Sequence, residues 1–281
     1  RGVEERLSYL ETKLYESSIS QTAQHSIELH DFVAELEAVK SIIIKEHQSL
    51  YLNDIQSLIN KTKLFGYHFA ILDIRQDSRA HGSVFNAMVN VLIDSGSHIF
   101  PKNYHKLSEK EQVKLLSNVK GKIDLNLIKD DDVLKALNTM KVIKTIQESN
   151  GEQACCRYII SNNQTTLNVM QLYAMLKLVA FEDELTVDIG PLFETITDLE
   201  NAPAVMEELY TNPTYSKHLK KRGNKQTIML GFSDGTKDGG YLMANWGIFK
   251  AKERLTEVSR KYGVTVLFFD GRGGPPARGG G

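Results

Sequence analysis

Three segments near the start of the chain repeat apolar residues at three- and four-residue spacing. They are "VEERLSYLETKLYESS" (3–18), "SIELHDFVAELEAVKSIIIKEH" (26–47) and "NDIQSLINKTKLFG" (53–66). That period predicts helices, and Gly66 is a usual C-terminal stop for the third. From residue 67 the rhythm changes to short, near-continuous apolar runs. These are "YHFAILDI" (67–74), "CCRYIIS" (155–161), "LTVDIGPLF" (185–193), "QTIMLGF" (226–232) and "VTVLFFD" (264–270). Runs that do not alternate are the mark of strands buried on both faces. A helical stretch follows each of the first four, and strand–loop–helix repetition predicts a parallel sheet.

Residues 100–150 interrupt the repetition with a helical insertion containing "SEKEQVKLLSNV" and "DDDVLKALNTMKVIKTIQE". The expected fold class is therefore α/β: part of a TIM-type (β/α)8 barrel with additional helices, mostly helical overall. An open doubly wound sheet is the alternative. Residues 1–281 are expected to form one partial barrel domain, with 1–66 helical and 67–281 built of strand–loop–helix units.

Composition narrows the picture. Hydrophobic residues are 41% and charged residues 25% of 281, so a sizeable core is available. The formal net charge of −1 gives no overall attraction to nucleic acid or anionic membrane. No run approaches the roughly 18 apolar residues of a membrane span. Neighbouring Cys155 and Cys156 are poorly placed to bond each other, so a cytoplasmic protein with buried thiols is expected. The start at Arg1 and the finish inside a glycine-rich stretch suggest a piece of a longer polypeptide.

Polar groups collect where the expected strands end. Arg75 follows the first, Ser161 and Asn162 close the second, and Glu194 the third. Ser233, Asp234 and Lys237 follow the fourth, and Asp270 and Arg272 the fifth. In parallel α/β folds that rim carries the active site. Two carboxylates from different strands, Glu194 and Asp234, suit Mg²⁺ (or Mn²⁺). Arg75 and Arg272 suit a phosphate, and Lys237 adds a mobile cation. Each feature has a bland reading as well: a surface ion pair for Arg75, a helix start for "PLFET", a turn and cap for "SDGTKDGG". Only their shared placement favours a site for a phosphorylated anion. His81 is expected at the surface or the site's edge, and "KHLKKRGNK" (217–225) at a solvated helix end.

In order along the chain, "LDIRQDS" (72–78), "PLFET" (191–195), "LGFSDGTKDGGYL" (230–242) and "DGRGGPPARGGG" (270–281) resemble the motifs of phosphoenolpyruvate carboxylases. The resemblance implies addition of bicarbonate to phosphoenolpyruvate, giving oxaloacetate and phosphate with Mg²⁺, in a cytoplasmic, allosterically regulated homotetramer. It implies metal binding by Glu194 and Asp234, and phosphate binding by Arg75 and Arg272. Lys237 and Arg278 would lie near bicarbonate. Asp270 stands at the substrate-binding position where the family has His. Gly235 replaces a usual Ser, and the arginine of the usual "RQDSTRH" is shifted to Arg79. The family's "TAHPT" histidine and a downstream arginine are missing from these 281 residues, so the chain alone is expected to be inactive. The competing readings are another Mg²⁺-dependent phosphoenolpyruvate-using barrel such as a dikinase, a non-catalytic anion-binding regulatory domain, and an RGG-type RNA-binding protein. The last lacks both repeats and basic charge.

Overall fold

The computed structural model describes residues 2–20 and 26–271. The chain divides into two compact units, one of residues 1–72 with 143–156 and one of 73–142 with 157–281.

The first unit holds α1 (Val3–Ile19), α2 (Leu29–Glu46) and α3 (Leu52–Phe65). Leu10, Phe32, Leu36, Val39, Ile43, Ile55 and Ile59 form its core, the residues that the helical period places on one face. The apolar run at 67–72 is not a strand. The chain turns after α3, with the Phe69 N–H bonded to the Phe65 carbonyl at 2.7 Å and the two rings stacked. Phe69, Ile71 and Leu72 are exposed.

The second unit carries a parallel sheet. Its strands are β1 (Asp73–Asp77), β2 (Arg157–Ser161), β3 (Asp188–Phe193), β4 (Lys225–Gly231) and β5 (Thr265–Gly271), in spatial order 1-2-3-4-5. Its helices are α4 (Ser78–Asp94), α5 (Glu109–Leu116), α7 (Thr166–Val179), α8 (Ile196–Thr211), α9 (Pro213–Lys221) and α10 (Ser233–Lys261); α6 (Asp131–Asn150) is divided between the two units. The strand order shows no reversal among the described strands, unlike an open doubly wound sheet. Five strands neither show nor exclude closure into a barrel.

Strands form at or beside all five apolar runs: β2 and β3 end where their runs end, and β4 and β5 are offset by a single residue. β1 moves furthest, because pairing with β2 decides its position: Asp73 faces Arg157 in register and forms an ion pair with it at 3.1 Å. Burial on both faces holds for β2 and β3, whereas β1 and β5 are half exposed. The helix between them, α7, is apolar almost all round (Val169, Met170, Leu172, Met175, Leu176, Leu178) and is correspondingly enclosed. On α10, Leu242, Trp246 and Phe249 follow helical spacing yet remain exposed, as do Leu267 and Phe269 on β5. Among the described residues, no helix is long and apolar enough to cross a membrane.

Cys155 is buried and Cys156 half-buried, so only one thiol is enclosed as expected. Two histidines also differ from expectation. His81 is buried, 2.9 Å from the Tyr158 hydroxyl, because α4 begins at Ser78 and turns this face onto β2. In the basic run 217–225 the lysines are exposed, but His218 is buried between Tyr173 and Tyr215. Burial lowers both imidazoles to about 4, partly opposed by Asp77 for His81 and reinforced by Arg222 for His218.

Unfolding returns each imidazole to its ordinary value of about 6.5. The folded state binds fewer protons, so stability is full above pH 6.5 and falls as pH drops toward 4. Each histidine is expected to account for up to about 3 kcal/mol of that loss. Chemical denaturation of the parent and of His81→Gln at pH 7 and 4.5 checks this. An equal pH dependence in the two proteins would count against a neutral, buried His81.

Candidate functional site

The site lies in the second unit, at the C-terminal ends of β1 to β4. β3 ends at Phe193, and Glu194 is the next residue. Its side chain is 16% exposed. One oxygen, Oε2, accepts the Asn162 backbone N–H at 2.6 Å from the end of β2. The other, Oε1, accepts from Arg75 Nη2 at 3.4 Å, so the cation comes from inside β1 rather than after it. Withdrawal from water raises the Glu194 carboxyl above the ordinary carboxylate range. The Asn162 N–H opposes this, Asp234 and Asp198 reinforce it, and Arg75 opposes it weakly. Burial prevails because the Arg75 guanidinium is half exposed and its charge is screened by water.

Asp234 and Lys237 occupy the first turn of α10 and pair with each other at 2.9 Å, both well exposed. The pair holds the lysine's pKa above its ordinary value, with Glu194 adding a smaller push. α10 is not continuous: Gly240 (φ 79, ψ 169) breaks it, and the segment carrying Asp234 and Lys237 precedes the break. A side chain at that φ would be strained. The start of α8 is fixed twice, by a capping box between Thr195 and Asp198 and by the Ile196 N–H donating to Asp238 Oδ2 at 3.1 Å. "SDGTKDGG" is therefore helix rather than turn, and one of its aspartates secures the neighbouring helix.

Close packing brings these parts together. A Cβ on Gly231 would lie 3.1 Å from both Cα and Cγ of Glu194, and one on Gly235 would lie 3.3 Å from the Glu194 carbonyl. Glycine at 231 lets β4 approach the backbone that carries the carboxylate.

Asp270, on β5, pairs with Lys252 of α10 at 2.7 Å. The sequence alone suggests Lys237 or Arg272 as its partner; Lys237 is paired with Asp234, and Arg272 lies outside the described residues. Eighteen residues separate Lys252 from Asp270, with no local signal to join them. Arg79 is bound to Asp77 at 2.9 Å in the first turn of α4. Arg272 and Arg278 lie outside the described residues. Sequence reasoning also passes over Ser78, Asp238 and the N–H of Asn162, because backbone donors and caps leave little trace in residue type.

The site residues come from strand ends in the order of the motifs, and comparison with known proteins gives the same order a family. The sequence model of the family described as phosphoenolpyruvate carboxylase matches residues 3–281. The chain belongs to the phosphoenolpyruvate carboxylase family. It is 36% identical over 271 residues to the phosphoenolpyruvate carboxylase of Nitrosomonas eutropha, covering 92% of this chain and 28% of that protein. It is 33% identical over 259 residues to that of a Synechococcus species, covering 89% and 24%. With the enzyme of Gloeobacter violaceus it shares 30% over 260 residues, covering 90% and 27%. The chain thus spans about a quarter of the length of the phosphoenolpyruvate carboxylases it matches.

Gly231→Ala tests the close approach. The added methyl group meets backbone that cannot swing aside, so a loss of about 1–3 kcal/mol in unfolding free energy is expected. A variant as stable as the parent in urea denaturation would show that β4 and Glu194 have room to spare.

Proposed function

We propose that this chain supplies part of the catalytic barrel of a Mg²⁺-dependent enzyme that carboxylates phosphoenolpyruvate with bicarbonate, giving oxaloacetate and phosphate. The enzyme is soluble, cytoplasmic and, at the length of its relatives, a homotetramer with allosteric control. The observation that carries the reading is the mostly buried Glu194 carboxylate, electrostatically coupled to Asp234 and flanked by Arg75 and Lys237.

Glu194 and Asp234 fit a divalent cation in donor type: both offer hard oxygen, and each raises the cost of leaving the other uncompensated. Among the described residues no group of three His, Cys, Asp or Glu is placed to hold a metal. Two carboxylates, with water and substrate oxygens completing the shell, are what Mg²⁺ commonly accepts. A bound cation would neutralise charge on the phosphate and enolate oxygens.

Within this reading, Arg75 binds the phosphate of phosphoenolpyruvate, together with Arg272. The bond from phosphorus to the enol oxygen breaks as one to a bicarbonate oxygen forms, giving carboxyphosphate and the enolate of pyruvate. Carboxyphosphate then releases CO₂ and phosphate, and the methylene carbon of the enolate attacks CO₂. Negative charge moves from phosphate to enolate, so fixed cations aimed at both lower the barrier. Lys237 is long and exposed enough to follow the bicarbonate. Arg278 is assigned beside it by the motif alone. Water must be excluded, or the enolate is protonated to pyruvate.

Asp270 is the position that would favour a non-catalytic anion-binding domain, since a bare carboxylate repels bicarbonate and phosphate. Its ion pair with Lys252 offsets that charge and supports the catalytic reading.

In the protein at the length of its relatives, Glu194→Gln and Asp234→Asn are each expected to lower Mg²⁺-dependent oxaloacetate formation about 100-fold or more. Near-normal turnover and metal dependence in either variant would remove that residue from the metal site. The 281-residue chain alone is expected to form no oxaloacetate in a coupled assay with malate dehydrogenase, and measurable production would overturn its reading as only part of the catalytic barrel.

A further inference from the structure

Resting on the reading of Glu194 as a cation-holding carboxylate, we infer that Ser78 is a positioning residue, which fixes that carboxylate through the backbone of Asn162. Ser78 is buried at the start of α4, where its Oγ donates to the Asn162 carbonyl at 2.6 Å. The other end of the same peptide unit, the Asn163 N–H, donates to the Leu192 carbonyl of β3 at 3.1 Å. This peptide is therefore held at both ends. Asn162 itself has φ +51, the left-handed region that asparagine tolerates better than most residues. That turn aims the preceding N–H at Glu194 Oε2, 2.6 Å away.

The alternative support for the carboxylate is weak. Arg75 reaches Oε1 only at 3.4 Å and from a half-exposed position, where water competes for the bond. Asp234, with Lys237 beside it, offers repulsion rather than a hydrogen bond. Among the described residues, the bond from Asn162 is the shorter of the two hydrogen bonds to the carboxylate, and Ser78 braces the turn that supplies it. The hydroxyl is buried against the Asn162 carbonyl and acts on the carboxylate only through that peptide.

The test is a double-mutant cycle on the 281-residue chain, read by Mn²⁺ titration. Ser78→Ala is expected to weaken Mn²⁺ binding about fivefold, the equivalent of one hydrogen bond. In a Glu194→Gln background the same change is expected to cost less than about twofold, because no carboxylate remains to be oriented. A full fivefold loss in both backgrounds would overturn the inference and leave Ser78 a brace of the loop alone. If Ser78→Ala does not fold, Asn162→Ala and Asn162→Gly ask the same question. Both keep the N–H, but only glycine keeps the left-handed turn without penalty, so alanine is expected to weaken Mn²⁺ and glycine to match the parent. Equal binding by the two overturns the inference. If Glu194→Gln leaves Mn²⁺ affinity unchanged, the metal reading fails by itself. The positioning is then read from the Asn162 amide proton resonance, expected to move upfield in Ser78→Ala as the bond to Oε2 lengthens. An unmoved resonance overturns it.

Discussion

A carboxylate taken out of water must be matched by donors or give up its charge. Glu194 sets that condition for the whole rim. Its backbone lies so close to β4 that a Cβ at residue 231 would crowd it at 3.1 Å, and its oxygens are reached from β1 and β2. Two nearby carboxylates, Asp198 and Asp238, are hydrogen-bonded to the backbone at the start of α8. Much of the local structure serves to hold one negative charge where solvent barely reaches. Such an arrangement is costly in the absence of a counter-charge, a cost that a bound cation would relieve.

Sheet register does the rest. In a parallel sheet every strand points the same way, so residues just past the strands fall on one side. Arg75, Glu194 and the Asp234–Lys237 pair are scattered over more than half the sequence, yet they meet there because β1 to β4 are paired in order. That much was legible in the residues. Apolar runs marked the strands, and polar residues after them marked the rim. The position of β1 was not legible, because its apolar neighbour 67–72 carries a stronger local signal than "DIRQD". Pairing with Arg157, eighty-four residues away, overrides it. His81 was misjudged for a similar reason: its burial depends on which face α4 turns to β2, and the partner is the distant Tyr158.

Residue type and position were enough to bring Glu194 and Arg75 together at the rim. Residue type predicts poorly where the backbone acts. The Asn162 N–H is invisible in the letter N, and Ser78 reads as an ordinary helix start. Lys252 was equally hidden, although it settles the charge of Asp270. The substitution of Gly235 for the family's Ser has a local correlate in its packing against the Glu194 carbonyl.

The apolar side chains left in the open on α10 and β5 carry a consequence of a different kind. Trp246 and Phe249 stack on each other at 5.7 Å, with the Lys250 ammonium 5.3 Å from the indole and 6.0 Å from the phenyl ring. On the sheet, β5 pairs with β4 along one edge, no described strand lines its other edge, and its Leu267 and Phe269 are exposed. Apolar faces next to an unpaired strand edge adhere to their own kind. Such a strip favours self-association of the 281-residue chain, and a net charge of −1 supplies little repulsion between copies to oppose it.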